Sequence, residues 1–251
     1  MLSRRDFREA DRFYSVLTPT HGKIEFLARG GHKPLAKLTP HLEAVAEVEL
    51  LLVSGRVFQT VAGVERRRSF PHIFNDLQKL LLAQNSLSLV DLATRPHERD
   101  PILYKLILSW LDFIETSASP SDERSAFLLG SFLLKLMAIS GYRPELTQCL
   151  SCREAIAAGN FYWHALKGGV VCASCVVRDQ EQWFSARRID DATLKLLRFA
   201  SQESFSNQTR PTLAAEQIVW FHEVLESYLI CHFPVIPSVS IRAACISPSL
   251  A

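Results

Sequence analysis

Apolar and polar positions change their rhythm once along this chain, near residue 71. Before that point the apolar residues recur with a period close to two. The stretch "RFYSVLT" (12–18) alternates, "PTHG" (19–22) carries turn chemistry, and "KIEFLAR" (23–29) alternates again with Ile24, Phe26 and Ala28 on one face. "GGHKP" (30–34) reads as a loop. "LEAVAEVELLLV" (42–53) is ambiguous by period, because Ala and Glu favour a helix. Its run of Val and Leu and the following Ser54-Gly55 turn favour a strand. "VFQTVAGVE" (57–65) alternates once more. About five short strands, with no helical stretch long enough for a crossover, predict a small antiparallel barrel. The five-stranded OB-fold is the commonest barrel of that size that binds oligonucleotides.

From residue 71 the spacing becomes helical. "HIFNDLQKLLLAQNSLSLVDLA" (72–93) places Ile73, Leu77, Leu80, Leu81 and Leu87 near one face, and the pattern predicts one helix. "DPILYKLILSWLDFIETSA" (100–118) opens with Asp100 as an N-cap and Pro101 at the first helical position. The next helix is expected to repeat that device at Ser119-Pro120, with Asp122 closing a short capping box, and to end at "SGYRP" through Gly141 and Pro144. "DDATLKLLRFA" (190–200) predicts a short helix. In "AAEQIVWFHEVLESYLICHF" (214–233), Ile218, Phe221, Leu225 and Leu229 form one stripe. The resulting expectation is an α+β protein: an OB-fold β-barrel over 1–72, then an α-helical domain over 73–251 carrying an inserted four-cysteine zinc module at about 147–178.

Composition narrows the class. With 48% hydrophobic and 22% charged residues in 251, the chain reads as an ordinary globular protein, neither disordered nor fibrous. No run approaches the roughly 20 apolar residues of a membrane span, and "FLLGSFLLKLMAI" (127–139) is short and interrupted by Lys135. The charged start "MLSRRDFREADR" has no apolar segment behind it, so a secretory signal is not expected and the cytoplasm is the default compartment. The net charge of +2 conceals an asymmetry: residues 1–80 hold 13 Lys and Arg against 9 Asp and Glu. This mild bias is compatible with a polyanionic partner.

The densest chemistry lies in "CLSCREAIAAGNFYWHALKGGVVCASC" (149–175), where Cys149/Cys152 and Cys172/Cys175 form two Cys-x-x-Cys pairs separated by 19 residues. Each such turn presents two sulfurs to one point, and two turns complete a tetrahedron around Zn2+. A redox motif would use a single pair, two disulfides suit an oxidising compartment, and a site that has lost its metal is a further alternative. Four cysteines would close the coordination shell, so the expected zinc is structural, with His164 merely decorating the hairpin between the pairs. Cys231 and Cys245 are read as small buried apolar residues.

Arg29, Lys33 and Lys37 surround the Gly30-Gly31 loop, and "ERRR" (65–68) adds Arg66 and Arg67. These are the candidate nucleic-acid-binding residues, with an ordinary solvated loop as the competing reading. Phe7, Phe13, Tyr14 and Phe26 are candidate stacking groups, although a barrel needs large inward side chains and the core reading is preferred for them. The chain has no GxxxxGK[ST], HExxH or GxSxG, which weakens an enzyme reading but does not exclude one, since triads can assemble from residues distant in sequence.

Together these features resemble the RecO family of bacterial recombination mediators. The residues that carry the resemblance are "RRDFREADRFYSVLTPTHGKIEFLARGGHKP" (4–34), the following "LTPHLEAVAEVEL", "SGYRPELTQCLSC" and "GGVVCASC". The resemblance implies a cytoplasmic DNA-repair protein, nucleoid-associated during repair, without a catalytic site. It implies binding of single- and double-stranded DNA and annealing of complementary strands. It also implies work with RecR, contact with the C-terminal tail of single-strand-binding protein and, indirectly, loading of RecA. By position, Arg29, Lys33 and Lys37 match the family's basic loop and the four paired cysteines match its zinc ligands. The alternative is a zinc-stabilised adaptor acting through proteins alone. The family usually begins with more residues than precede "LSRRDF" here, so the first strand is expected to be short or missing.

Overall fold

The computed structural model describes residues 1–31, 41–42, 45–156 and 158–233; Lys33, Lys37 and Cys245 lie outside them. By internal contacts the chain divides after Ser119 into two parts.

The first part begins with β1 (Ser3–Phe7), β2 (Asp11–Thr18), β3 (Gly22–Ala28), β4 (Ala46–Ser54) and β5 (Gln59–Ser69). They form one sheet in the order β1-β2-β3-β5-β4. Neighbours are antiparallel except β3 and β5, which run parallel with Leu27 beside Thr60. A three-strand meander with the last strand of a hairpin set against its third member is the OB arrangement. Of the two expectations for the first strand, short or missing, the first holds: β1 is present and, at 5 residues, the shortest of the five. It pairs with β2 from Ser3↔Ser15 to Phe7↔Asp11, and the Met1 amino group donates to the Ala46 carbonyl at the start of β4, 3.2 Å away.

Alternation fills the interior. Tyr14, Val16, Phe26, Ala28, Leu42 and Val61 make the barrel core, with Ile24, Leu50, Leu52 and Val64 packed against it. Tyr14 and Phe26 stack with ring centroids 5.7 Å apart, so both belong to the core rather than to a binding surface. Burial of the larger apolar members, such as Phe26, Val16 and Leu42, contributes about 1.5–3 kcal/mol each.

The predicted helix over 72–93 is broken in two, α1 (Pro71–Phe74) and α2 (Leu77–Ala93). Asp76 takes an extended backbone and its carboxylate accepts from Lys79 N at 3.1 Å, which starts a new helix where periodicity alone would continue the old one. Asp100 caps α3 (Pro101–Thr116) as expected, accepting from Ile102 N and Leu103 N, both at 2.9 Å.

Asp91 of α2 joins the helices to the barrel. Its carboxylate meets Lys23 Nζ of β3 at 2.7 Å and accepts from Ser3 Oγ at 2.5 Å and Ser15 Oγ at 2.7 Å. Lys23 Nζ also donates to the Asp91 carbonyl at 2.6 Å. Burial by itself would raise the Asp91 pKa, but the Lys23 ammonium and the two hydroxyls outweigh it and hold the carboxyl below its ordinary value.

The second part contains α4 (Asp122–Ile139), β6 (Phe161–His164), β7 (Gly169–Cys172), α5 (Ala173–Arg178), β8 (Arg187–Arg188), α6 (Asp191–Gln202) and α7 (Ala215–His232). The cap of α4 is Ser121 rather than Ser119: its hydroxyl accepts from Arg124 N at 3.3 Å, and Pro120 precedes the cap. Asp122 and Glu123 then occupy the first turn, where the helix dipole favours negative charge. Gly141 ends α4 at φ +87°, with Tyr142 N donating to Met137 O at 2.8 Å. The predicted stripe of α7 is buried, and Phe221 comes so close to α4 that a Cβ on Gly130 would lie 2.4 Å from its ring. Cys231 departs from expectation and is exposed, because it falls two residues beyond Leu229 of the buried stripe. Among the described residues no helix is long and apolar enough to cross a membrane.

Candidate metal centre and nucleic-acid surface

The four paired cysteines meet in space. The hairpin β6–β7 reverses through Ala165–Gly168, where Gly168 adopts φ +71° and its N–H donates to the His164 and Ala165 carbonyls. β7 thereby delivers Cys172 and, one helical turn on, Cys175 toward the turn at Cys149–Cys152. Leu150 N donates to Val170 O at 2.9 Å, which fixes the first turn against the hairpin.

All four sulfurs lie within 4.8 Å of one another, and Cys152 Sγ is 3.9 Å from Cys172 Sγ. Four bonds of ~2.3 Å to one ion would set the sulfurs ~3.8 Å apart, so the cluster needs little adjustment to hold one. Backbone N–H groups point at the sulfurs: Ser151 N at 3.4 Å and Cys172 N at 3.3 Å from Cys149 Sγ. Arg178 Nη2 lies 3.3 Å from Cys175 Sγ.

The protonation pattern fits the same chemistry. Burial disfavours the Cys149 thiolate, yet the N–H groups of Cys172, Cys152 and Ser151 bring its pKa down to about 6. Burial and the neighbouring sulfurs push Cys172 up to about 12. Four sulfurs this close cannot all ionise beside one another without a cation among them, which is what a bound metal supplies. Four sulfur donors would complete a tetrahedron and leave no open position, so the cluster is suited to holding structure and offers no place for a reacting ligand.

His164 takes no part in it. Its ring is buried, Nδ1 accepts from Lys167 N at 3.1 Å, and Nε2 faces Ser185 Oγ at 3.1 Å. Burial and the Lys167 charge lower its pKa, so the neutral ring serves the hairpin turn.

Of the candidate nucleic-acid residues, Arg29 is exposed just after β3 and makes no ion pair among the described residues. Next in the chain, Gly30 N donates to Asp11 Oδ1 at 2.8 Å. Arg66 and Arg67 are exposed on β5. Arg67 is held by carboxylates, Nε to Glu49 at 2.7 Å and Nη1 to Glu65 at 3.0 Å, and Arg68 pairs with Asp112. Arg8, in the β1–β2 turn, and Arg56, in the β4–β5 turn, are also exposed and without an ion pair among the described residues. Sequence reading passed over both, although each sits in a turn: Arg8 follows the last residue of β1 at φ +56°, and Arg56 follows Ser54-Gly55.

Comparison with known proteins agrees with this architecture. The family described as "Recombination protein O N terminal" matches residues 1–70, and "Recombination protein O C terminal" matches 75–237. A DNA repair protein RecO from Dehalococcoides mccartyi (strain BAV1) is 32% identical over 202 residues, covering 80% of this chain and 76% of that relative. One from Desulfitobacterium hafniense (strain DCB-2) is 33% identical over 175 residues, 70% of this chain and 62% of that relative. One from Geobacter sulfurreducens is 31% identical over 176 residues, 70% of each. An OB-type barrel, a helical part and a clustered cysteine quartet, in the order two adjoining family profiles cover, identify this chain as a member of the RecO family of DNA repair proteins.

Proposed function

We propose that this chain is a non-catalytic mediator of recombinational repair in the cytoplasm, binding single- and double-stranded DNA without sequence preference and annealing complementary strands. With RecR it would help RecA take over strands coated by single-strand-binding protein, whose C-terminal tail would dock on the helical part. Residues 1–72 would serve DNA and 73–251 the protein partners. Cys149, Cys152, Cys172 and Cys175 would hold one structural Zn2+.

The observation that carries this reading is membership of the family joined to an OB strand order with Arg29 exposed on the barrel and without an ion pair among the described residues. Phosphate contacts release counterions, so affinity should fall steeply with salt. Backbone contacts also leave bases free to pair, which annealing requires. Fluorescence anisotropy with labelled oligonucleotides at rising salt tests the reading. Reversing charge together at Arg29, Lys33 and Lys37 is expected to weaken binding and flatten the salt dependence by roughly one phosphate contact per residue. A triple variant that binds and anneals like the parent moves the interface elsewhere. A parent that binds no DNA at low salt leaves the adaptor reading, in which the chain acts through proteins alone.

A further inference from the structure

Phe7, Phe13 and Phe58 make a second aromatic cluster, on the outside of the barrel. Alternation along β2 sends Tyr14 and Val16 into the core, so Phe13 and Ser15 face outward, and the Ser15 contact with Asp91 of α2 agrees with that direction. Ring centroids lie 4.7 Å apart for Phe7–Phe13, 4.8 Å for Phe13–Phe58 and 6.0 Å for Phe7–Phe58, all edge to face. Phe13, 5% exposed, is the floor, whereas Phe58 is 43% exposed in the β4–β5 turn. That turn is built by a close approach: Gly55 N donates to Phe58 O at 3.1 Å, and a Cβ on Gly55 would lie 2.5 Å from the same oxygen.

Cations surround the rings. The Arg5 guanidinium lies 5.1 Å from the Phe13 centroid and that of Arg8 lies 5.1 Å from Phe7. The acidic neighbours Glu25 and Asp6 are held by Arg5 at 3.8 Å and by Arg12 at 2.9 Å. Arg8 and Arg56, which share their turns with Glu9 and Phe58 respectively, carry no ion pair among the described residues.

An exposed ring on an aromatic floor, bordered by unpaired guanidiniums, offers a π face and positive charge together, which is what an unpaired nucleotide presents in complement. In OB-folds oligonucleotides run over strands two and three and between the β1–β2 and β4–β5 turns. Here those elements supply Phe13, the Phe7–Arg8 corner, and Arg56 with Phe58. We propose that Phe58, seated on Phe13 and Phe7, stacks an unpaired nucleobase while Arg8 and Arg56 hold the flanking phosphates, so that this rim selects single strands over duplex. Bases in a duplex are already stacked on their neighbours and have no free face to give. The inference rests on the DNA-binding reading above and adds to it a contact with bases.

The test uses the full chain and anisotropy with an oligo-dT strand, an abasic strand of equal length and a duplex. Phe58→Ala is expected to weaken oligo-dT binding by about tenfold and to leave the abasic strand and the duplex unchanged. Phe58→Leu, which keeps apolar cover over Phe13, is expected to lose as much. Phe58→Trp should retain affinity, and the added indole emission should fall when oligo-dT is bound but not when duplex is bound. The inference is overturned if Phe58→Ala and Phe58→Leu hold oligo-dT like a DNA-binding parent, the result also expected of a rim that serves an acidic, apolar peptide. It is equally overturned if all three probes weaken together, since the loss would then lie in the barrel or the backbone contacts. A parent that binds none of the probes overturns the DNA-binding reading itself.

Discussion

Replacing Asp91 by Ala removes the group on which β1, β2, β3 and α2 converge. The Lys23 ammonium would keep its bond to the Asp91 backbone carbonyl but lose its counter-charge, and the Ser3 and Ser15 hydroxyls would lose their acceptor. Removing one partner of a buried ion pair costs about 3–5 kcal/mol. The side chains here are 10% and 21% exposed, and Lys23 retains a carbonyl, so the lower end of that range, about 3 kcal/mol, is expected. Asp91→Asn keeps the shape and a carbonyl acceptor and should lose less. The charge-free double variant Lys23→Met/Asp91→Leu should recover most of the loss, because the strandedness of the remaining ion, not the absence of the pair, carries the cost. Urea unfolding, with hydrogen exchange of the β1–β3 amides to assign the transition, measures each variant. The sign of the pH dependence follows from the lowered Asp91 pKa. Its contribution is fully present above the ordinary carboxylate value near about 4 and is lost as pH falls through the lower folded value. The gap between parent and Asp91→Asn should therefore close in strong acid. If Asp91→Ala unfolds within about 0.5 kcal/mol of the parent, or if the double variant is no better than the single one, the network is not what holds helix to barrel.

Two further outcomes are expected. Metal analysis of protein purified without chelator should give about one zinc per chain; stripping it, or Cys172→Ser, should abolish protection of the β6–β7 amides, and a metal-free protein with unchanged protection would refute the assignment. Gly130→Ala should destabilise by about 1–3 kcal/mol through overpacking, since the new methyl would meet the Phe221 ring at 2.4 Å and Leu225 Cδ1 at 2.9 Å; a neutral effect in thermal unfolding would show that α7 yields there.

The barrel and the cysteine cluster were legible in the sequence because each is written locally. Strand alternation is a period within a few residues, and Cys149/Cys152 and Cys172/Cys175 need only two tight turns and one hairpin to meet. Features that depend on competition between signals were less legible. Asp76 ended one helix by capping another, although the apolar period ran straight through it. Ser121 won the α4 cap over Ser119, which the Ser-Pro pattern favoured. Arg66 and Arg67 read as a basic patch, but register places Glu49 across from Glu65, and Arg67 is drawn onto both. The aromatic rim was legible only in part. Phe7 and Phe13 stood out, whereas Phe58 looked like the opening of a strand, and its neighbours come from segments more than 40 residues away.

The parallel pairing of β3 with β5 has a mechanical consequence. The meander and the hairpin are each stitched by near neighbours in the chain, whereas Leu27 and Thr60 join them across a long closure, so by closure entropy this line is expected to form after either of them. Phe7 and Phe13 stand on one side of it and Phe58 on the other. Whatever settles on all three rings acts as a rivet, and its grip should appear as slower exchange along the line itself.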